Sequence, residues 1–353
     1  MKHGLNLLLA AATLLTGRLL AEEAKDGSVW ALAYFRQRYP TRVEIDADGT
    51  VRDVPLADPM SVEKLHLALS TDGRHWAPLA GNEPIWDQRL RDPFIQRAPD
   101  GTWHLMGTGR AADDARNPRR PVCLHATSRD LITWETVESL PLMEGVTGPA
   151  GNGAGNIWAP EWFFDRKTGD FFLFWSSSFE DAGWKNSRLW VSRTRDWKSF
   201  TPAKILFDPD YSVIDGTLLE SGGIFHLFHK EEEFGQRTGE RRAIRLATSD
   251  ALEGPFKLHQ GPLNQGQIVP TITEGCAVMA DPLQPGWLLY YDYCMTNRFG
   301  LSSSSDLLRW QVVDEVSFPP DARHGSVFKL SPDEAERLKT RFPAPREAQR
   351  KEP

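Results

Sequence analysis

After its first two dozen residues, the 353-residue chain has no apolar run of the roughly 20 residues that a membrane-crossing helix needs. It is poor in cysteine. Cys123, Cys276 and Cys294 make an odd count, which is no disulfide framework. Cys276 and Cys294 fall in one repeat, so they are either a pair or, like Cys123, buried thiols. A basic excess is also missing. Lys and Arg number 41 against 48 Asp and Glu, for a net charge of −7. That argues against a nucleic-acid partner, which asks for a basic face. The Gly-rich stretch GVTGPAGNGAGN (145–156) lacks the Lys-Ser/Thr of a phosphate loop and leads into no helix, so it reads as a flexible pocket rim. Abundant instead are 13 Trp, 25 Pro and 28 Gly, which suggest many short strands and turns rather than helices.

The chain opens MKHGLNLLLAAATLLTGRLLA. Lys2, a short apolar run and the small Ala21 read as a secretory signal peptide over 1–21. A first core helix and an uncleaved anchor are the alternatives. The signal reading expects a periplasmic or secreted protein with no membrane contact after cleavage.

A short string then recurs: STDGRHW (70–76), TSRDLITW (127–134), SRTRDWKSF (192–200), ATSDALEGPF (247–256) and SSSDLLRW (303–310). Each is a strand end, a Ser/Thr-Asp turn and an aromatic. The closing aromatics Trp76, Trp134, Phe200, Phe256 and Trp310 are 58, 66, 56 and 54 residues apart. Five copies at that period predict a radial array of small sheets, an all-β five-bladed β-propeller. Four copies follow a hairpin of alternating apolar residues. The first, from Lys64, has none, and its missing half is expected in RHGSVFKL (323–330). The two chain ends then share one blade and close the ring, which removes sheet edges. The propeller is expected to occupy 22–342. SPDEAERLKTRF (331–342) reads as a helix capped by Ser331, and 343–353 as a disordered tail.

In such a fold the innermost strand of each blade lines the channel. Their starts carry Asp92 in RDPF, Glu161 in WAPEW, Asp215 in VIDGT, Glu274 in TEGC and His324 in RHGS. The expectation is five ionisable groups at one structural position around one mouth. Channel polarity alone accounts for such a ring. Four acids with no Lys or Arg among the five would also repel, forcing their pKa values apart. Glycoside hydrolysis uses such a split: one carboxyl protonates the leaving oxygen and another activates water.

RDPF with its hairpin ending in GT, IWAPEW, IDGTLL, TEG and RHGSV, in this order and spacing over about 64–330, resemble glycoside hydrolase family 43. The resemblance implies an inverting glycosidase with Asp92 as general base, Glu274 as general acid and Asp215 orienting that acid and raising its pKa by like-charge repulsion. It gives Glu161 no chemical step; substrate binding or support of the channel wall is its expected part. Gly275-Cys276 departs from the family's commoner Gly-Pro or Ala-Pro. The resemblance also implies an arginine on the substrate, for which Arg298 is the candidate, and a structural calcium ion on the axis near His324. The chemistry itself needs no cofactor.

Thr108, Arg110, Trp175, Ser177, His229, Lys230, Tyr293 and Asn297 are expected to frame the same mouth, with Lys230 either on substrate or paired with Glu231–Glu233. Trp158, Trp86 and Trp184 are candidate sugar-stacking faces. The expected ligand is an oligosaccharide or polysaccharide, with α-L-arabinofuranosides first and β-xylosides or β-galactosides next. Two other readings stay open. A non-catalytic carbohydrate-binding propeller would keep the aromatics without needing Asp92 and Glu274 together. A retaining fructosidase-like enzyme shares Arg-Asp-Pro and Glu-Cys strings, but its Asn-Asp-Pro-Asn-Gly nucleophile segment is absent here.

Overall fold

A computed structural model describes residues 27–37, 41–45, 51–55, 62–110, 121–179, 186–232, 242–259, 268–270, 272–294, 296 and 298–344. The expected signal peptide, Trp184, Asn297, the Arg110 side chain and almost all of the expected tail lie outside them. The described residues form five antiparallel sheets set as the blades of a propeller, with one further hairpin, Thr41–Ile45 and Val51–Pro55. Blade I is Arg91–Arg97, Trp103–Arg110, Pro121–Ser128 and Glu135–Leu140. Blade II is Trp158–Asp165, Asp170–Ser177, Arg188–Thr194 and Lys204–Phe207. Blade III is Val213–Ser221, Ile224–Glu231, Ala243–Ser249 and Lys257–Leu258; blade IV is Thr273–Ala280, Trp287–Tyr293, Phe299–Ser304 and Gln311–Val312.

Blade V closes the ring. Its innermost strand, Ala322–Leu330, comes from the C-terminal side and pairs with Val29–Arg36, which pairs in turn with Lys64–Ser70. The sharing of one blade by the two ends is as the repeat predicts. The second strand, Val29–Arg36, is a finding: it adds the element that the repeat pattern left unassigned. Apolar side chains of the described residues gather in five clusters, each packed between neighbouring blades.

The Ser/Thr-Asp turns are built alike at four of their five places. In blade I, Ser128 Oγ accepts from the Leu131 N–H (2.9 Å) and Asp130 Oδ1 from the N–H groups of Ile132 and Thr133 (both 2.8 Å). Thr194 with Asp196, Ser304 with Asp306 and Ser70 with Asp72 repeat the pattern. These side chains satisfy backbone donors that the sharp reversal leaves without a ladder partner. Helix Pro332–Arg341 begins with a capping box between Ser331 and Glu334, as its sequence predicts. All three cysteines are buried free thiols, so Cys276 and Cys294 do not pair.

Five histidines, His66, His104, His125, His226 and His229, are buried in this frame. His104 and His125 meet ring nitrogen to ring nitrogen at 2.9 Å and stack on Trp197; His229 bonds the Tyr211 hydroxyl (2.7 Å); His66 stacks on Tyr34. Burial pushes their pKa values down, to about 4 for His66 and His104 and about 3 for His125 and His229. The unfolded chain would protonate them near pH 6.5. Their contribution is therefore complete above that pH and is lost as pH falls from about 6.5 towards 3–4, at roughly 1.4 kcal/mol per group and pH unit. Glu161 and His324, both shifted upward, work the other way. The expected net result is a melting temperature about 5 °C lower at pH 5 than at pH 7.5. Equal melting at both would contradict neutral buried imidazoles.

Candidate active site

Each innermost strand begins with a bulge, where pairing to the second strand slips between Arg91 and Phe94, Trp158 and Glu161, Ile214 and Thr217, and Glu274 and Ala277; the same slip lies opposite His324 in blade V. One residue of each bulge has a positive φ: Asp92 (50°), Ala159 (43°), Asp215 (54°), Gly275 (66°) and His324 (27°). A bulge re-aims its side chain out of the strand's alternation. This corrects the expectation of five equivalent ionisable positions. Asp92, Asp215 and His324 are equivalent. Glu274 stands one residue before its bulge position, and Glu161 two residues after.

The offset still brings them together. His324 Nε2 lies 3.0 Å from Asp215 Oδ2, and Nδ1 lies 3.8 Å from Asp92 Oδ1. Asp215 Oδ2 also accepts from the Gly275 N–H (3.2 Å), so the second acid grips the backbone beside Glu274. The Cys276 thiol donates to the Asp215 carbonyl (3.0 Å), filling the place where the family more often has proline. Glu161 is buried and accepts from the Thr217 hydroxyl (2.8 Å). A narrow axial pocket is lined by Asp92, Glu161, Asp215, Cys276 and His324; Glu274 is not part of its lining.

The charges differ from the expected ring of unopposed acids, because two cations enter from other positions. Lys230, buried in the second strand of blade III, places Nζ 2.6 Å from both Glu274 and Glu232. Arg323, the neighbour of His324, pairs with Glu274 and with Asp292 (3.1 Å). Burial opposes the charge on Glu274, but Lys230, His324 and Arg323 outweigh it and hold its carboxyl far below the usual range. Repulsion from Asp215 was expected to raise that pKa; closer cations win. Burial likewise opposes the charged form of His324, and Asp215 and Asp92 overcome it, leaving the imidazole well above its ordinary pKa. Glu161 is pushed well above the carboxylate range by burial, against the Thr217 bond that lowers it. So Glu161 retains a proton and Glu274 is a clamped carboxylate.

Residues 57–336 match the profile of a family described as a probable glycosyl hydrolase domain, related to glycosyl hydrolase family 43. The chain belongs to this family. A curated relative, an α-L-arabinofuranosidase of Bifidobacterium longum subsp. longum, is 29% identical over 192 residues, which are 47% of this chain and 18% of the relative. The chain thus spans under a fifth of that protein's length. Among solved structures, an α-L-arabinofuranosidase from Lactobacillus brevis aligns with TM-score 0.47 at 17% identity, over 65% of this chain and 73% of its own. An exo-β-1,3-galactanase from Phanerochaete chrysosporium aligns with TM-score 0.49 at 12% identity, over 65% and 50%.

The other expected site residues of this family member divide. Trp158 is 37% exposed and directly precedes Ala159, which lines the pocket. Arg298 is exposed, with its guanidinium 5.3 Å over the Tyr293 ring. Lys230 is not available to a sugar, since its ammonium is held by Glu232 and Glu274. Trp86 packs against Trp134 (5.9 Å between ring centroids), at the edge of the cluster between blades V and I. His229 is buried on Tyr211, and Trp175 is buried with its indole N–H on Ser177, so both serve the fold. Thr108 Oγ1 accepts from the Ala159 N–H (3.0 Å) and ties blade I to the blade II bulge. The Gly-rich 145–156 stretch is folded rather than open: Thr147 bridges to Gly153, and Ala154 to Phe179. Arg323 and Asp292 were missed, while the expected alternative of Lys230 pairing within Glu231–Glu233 is met by Glu232.

Among the described residues one group has the make-up of a metal site: Glu274, Asp292 and His324, with donor atoms within 4.8 Å of one another. Calcium asks for six to eight oxygens. Here two carboxylates and a nitrogen are already matched by Arg323 and Lys230. This donor set does not suit calcium, and no step is routed through a metal.

Proposed function

We propose that the chain is an inverting exo-glycosidase that removes terminal sugars from plant-type oligosaccharides or polysaccharides, with α-L-arabinofuranosides as the first substrate class and β-xylosides and β-galactosides next. The observation that carries this reading is the pairing of Asp92 and Asp215 on equivalent bulges across His324, with Asp215 bonded to the backbone that carries Glu274. In this reading Asp92 deprotonates the attacking water and Glu274 protonates the leaving oxygen. Trp158 and Arg298 meet the sugar beyond the bond that breaks. The curated relative's printed activity puts arabinofuranosides first. Hydrolysis of a panel of aryl pentosides and hexosides tests the reading; inactivity on all of them would reject it.

Glu274 can act as an acid only after gaining a proton, so its clamp must loosen when substrate enters. A second assignment rests on Glu161, which keeps a proton and lines the axial pocket with Asp92. The two are separated by leaving group. Glu274→Gln is expected to cost about 10²–10³-fold on methyl glycosides and under tenfold on nitrophenyl glycosides, whose leaving group needs little protonation. If Glu161→Gln shows that split and Glu274→Gln does not, the acid is Glu161.

A further inference from the structure

Asp292 is the one carboxylate of the site cluster that is wholly buried. It is the last residue but one of an apolar strand, WLLYYDY, and stands directly across the blade IV ladder from Glu274. Like charges at such a cross-strand pair repel, and a buried carboxylate is costly unless well partnered. The partner comes from the next blade. Arg323 enters between the two acids, its Nε on Asp292 Oδ2 (3.1 Å) and its Nη2 on Glu274. The planar guanidinium fork suits this double contact. The same Asp292 oxygen accepts from the His324 backbone N–H (3.0 Å) and lies 3.5 Å from His324 Nδ1.

We propose that Asp292 is a positioning residue that joins the two halves of the site, holding Arg323 against Glu274 on one side and His324 between Asp92 and Asp215 on the other. The proposal rests on the hydrolase reading for its kinetic consequence, though not for its geometry. A single oxygen fixes two consecutive residues of blade V. One, Arg323, faces the expected acid. The other, His324, faces the expected base.

The sign of the effect follows from the surrounding charges. Facing Glu274 are Lys230 and, beyond it, Glu232 from blade III, Arg323 and His324 from blade V, and the Cys294 thiol at the end of its own blade. Removing the negative charge of Asp292 leaves Arg323 with Glu274 as its remaining carboxylate partner, and removes a like charge opposite Glu274. Both make Glu274 harder to protonate. The same change withdraws a negative charge from His324, which then releases its proton more easily.

Asp292→Asn keeps the shape and deletes the charge. The expected result is a kcat about tenfold lower on a methyl glycoside, under about twofold lower on a nitrophenyl glycoside, and KM within about twofold for both. The alkaline limb of the pH–rate profile should fall by about one pH unit, and so should the His324 imidazole titration followed by NMR. Equal losses on both substrates, with the limb and the His324 titration unmoved, would overturn the proposal and leave Asp292 a structural group. If the wild-type protein hydrolyses nothing, the hydrolase reading fails, while the His324 titration still decides the positioning role. If Asp292→Asn does not fold, Asp292→Glu keeps the charge and displaces it by one methylene. The same leaving-group split at smaller size is then expected, and wild-type behaviour would overturn the proposal.

Discussion

Asp92→Asn is expected to abolish hydrolysis, with kcat at least about a thousandfold lower on nitrophenyl and methyl glycosides alike. The leaving group makes no difference because the lost function is on the water. A base within reach of the attacking water contributes about 10²–10⁴-fold, and an amide cannot take the proton. The bulge gives this carboxyl its orientation: φ of 50° turns it out of the strand, and Pro93 follows in the fixed conformation of its ring. Its exposure is 11%, so it meets the pocket without being sealed in the core. His324 lies 3.8 Å away as the nearest cationic group. Asparagine has the same shape, so folding and melting temperature should be almost unchanged. The product of the wild-type reaction should appear with inverted anomeric configuration in early proton NMR spectra. A retained anomer would move Asp92 from base to nucleophile. An Asp92→Asn protein that loses only its methyl glycoside activity would make Asp92 the acid.

The blade count was legible because the Ser/Thr-Asp turn has a local cause. Four turns are closed by the side chains that announce them in the sequence. Val29–Arg36 had no such signal. Its ladder partner, Ala322–Leu330, lies at the other end of the chain, and no turn joins the two. Of the five channel residues, Asp92, Asp215 and His324 share one position as expected, while Glu274 falls one residue before it and Glu161 two after. RDPF, WAPEW and TEGC look parallel as strings, but the bulge decides the alignment. At Asp92, Asp215, His324 and Gly275 the residue type admits a positive φ more readily than most; at Ala159 it gives no warning. Of the two cations, Lys230 was legible and Arg323 was not. Arg323 sits beside His324 in sequence, and its role depends on which way a neighbouring blade turns it. Asp292 did leave a trace, a lone acid at the end of the run WLLYYD. A carboxylate in a buried apolar run is costly unless partnered, and that cost is visible in the sequence.

Ring closure depends on a residue without a side chain. Gly325 follows His324 and faces Tyr34 across the blade V ladder. A Cβ built there would lie 1.8 Å from the Ala33 carbonyl oxygen, 2.9 Å from its carbon and 3.1 Å from Tyr34 Cα. These are backbone atoms of the paired strand, so no side-chain rotation relieves the collision. The strand must separate, and the separation falls where the chain ends meet. Overpacking usually costs 1–3 kcal/mol, and a backbone collision belongs at or above the top of that range, about 3 kcal/mol or more. For a chain of this size that is a melting temperature about 4 °C lower, or more. Arg323 and His324 ride on the same segment, so activity should fall further than stability alone accounts for. Gly153→Ala is the control: the same chemical change, at a place where an added Cβ meets nothing within 4 Å. Its melting temperature should stay within about 2 °C of wild type. If Gly325→Ala melts with Gly153→Ala, blade V does not close through the tight pairing of Gly325 with Tyr34.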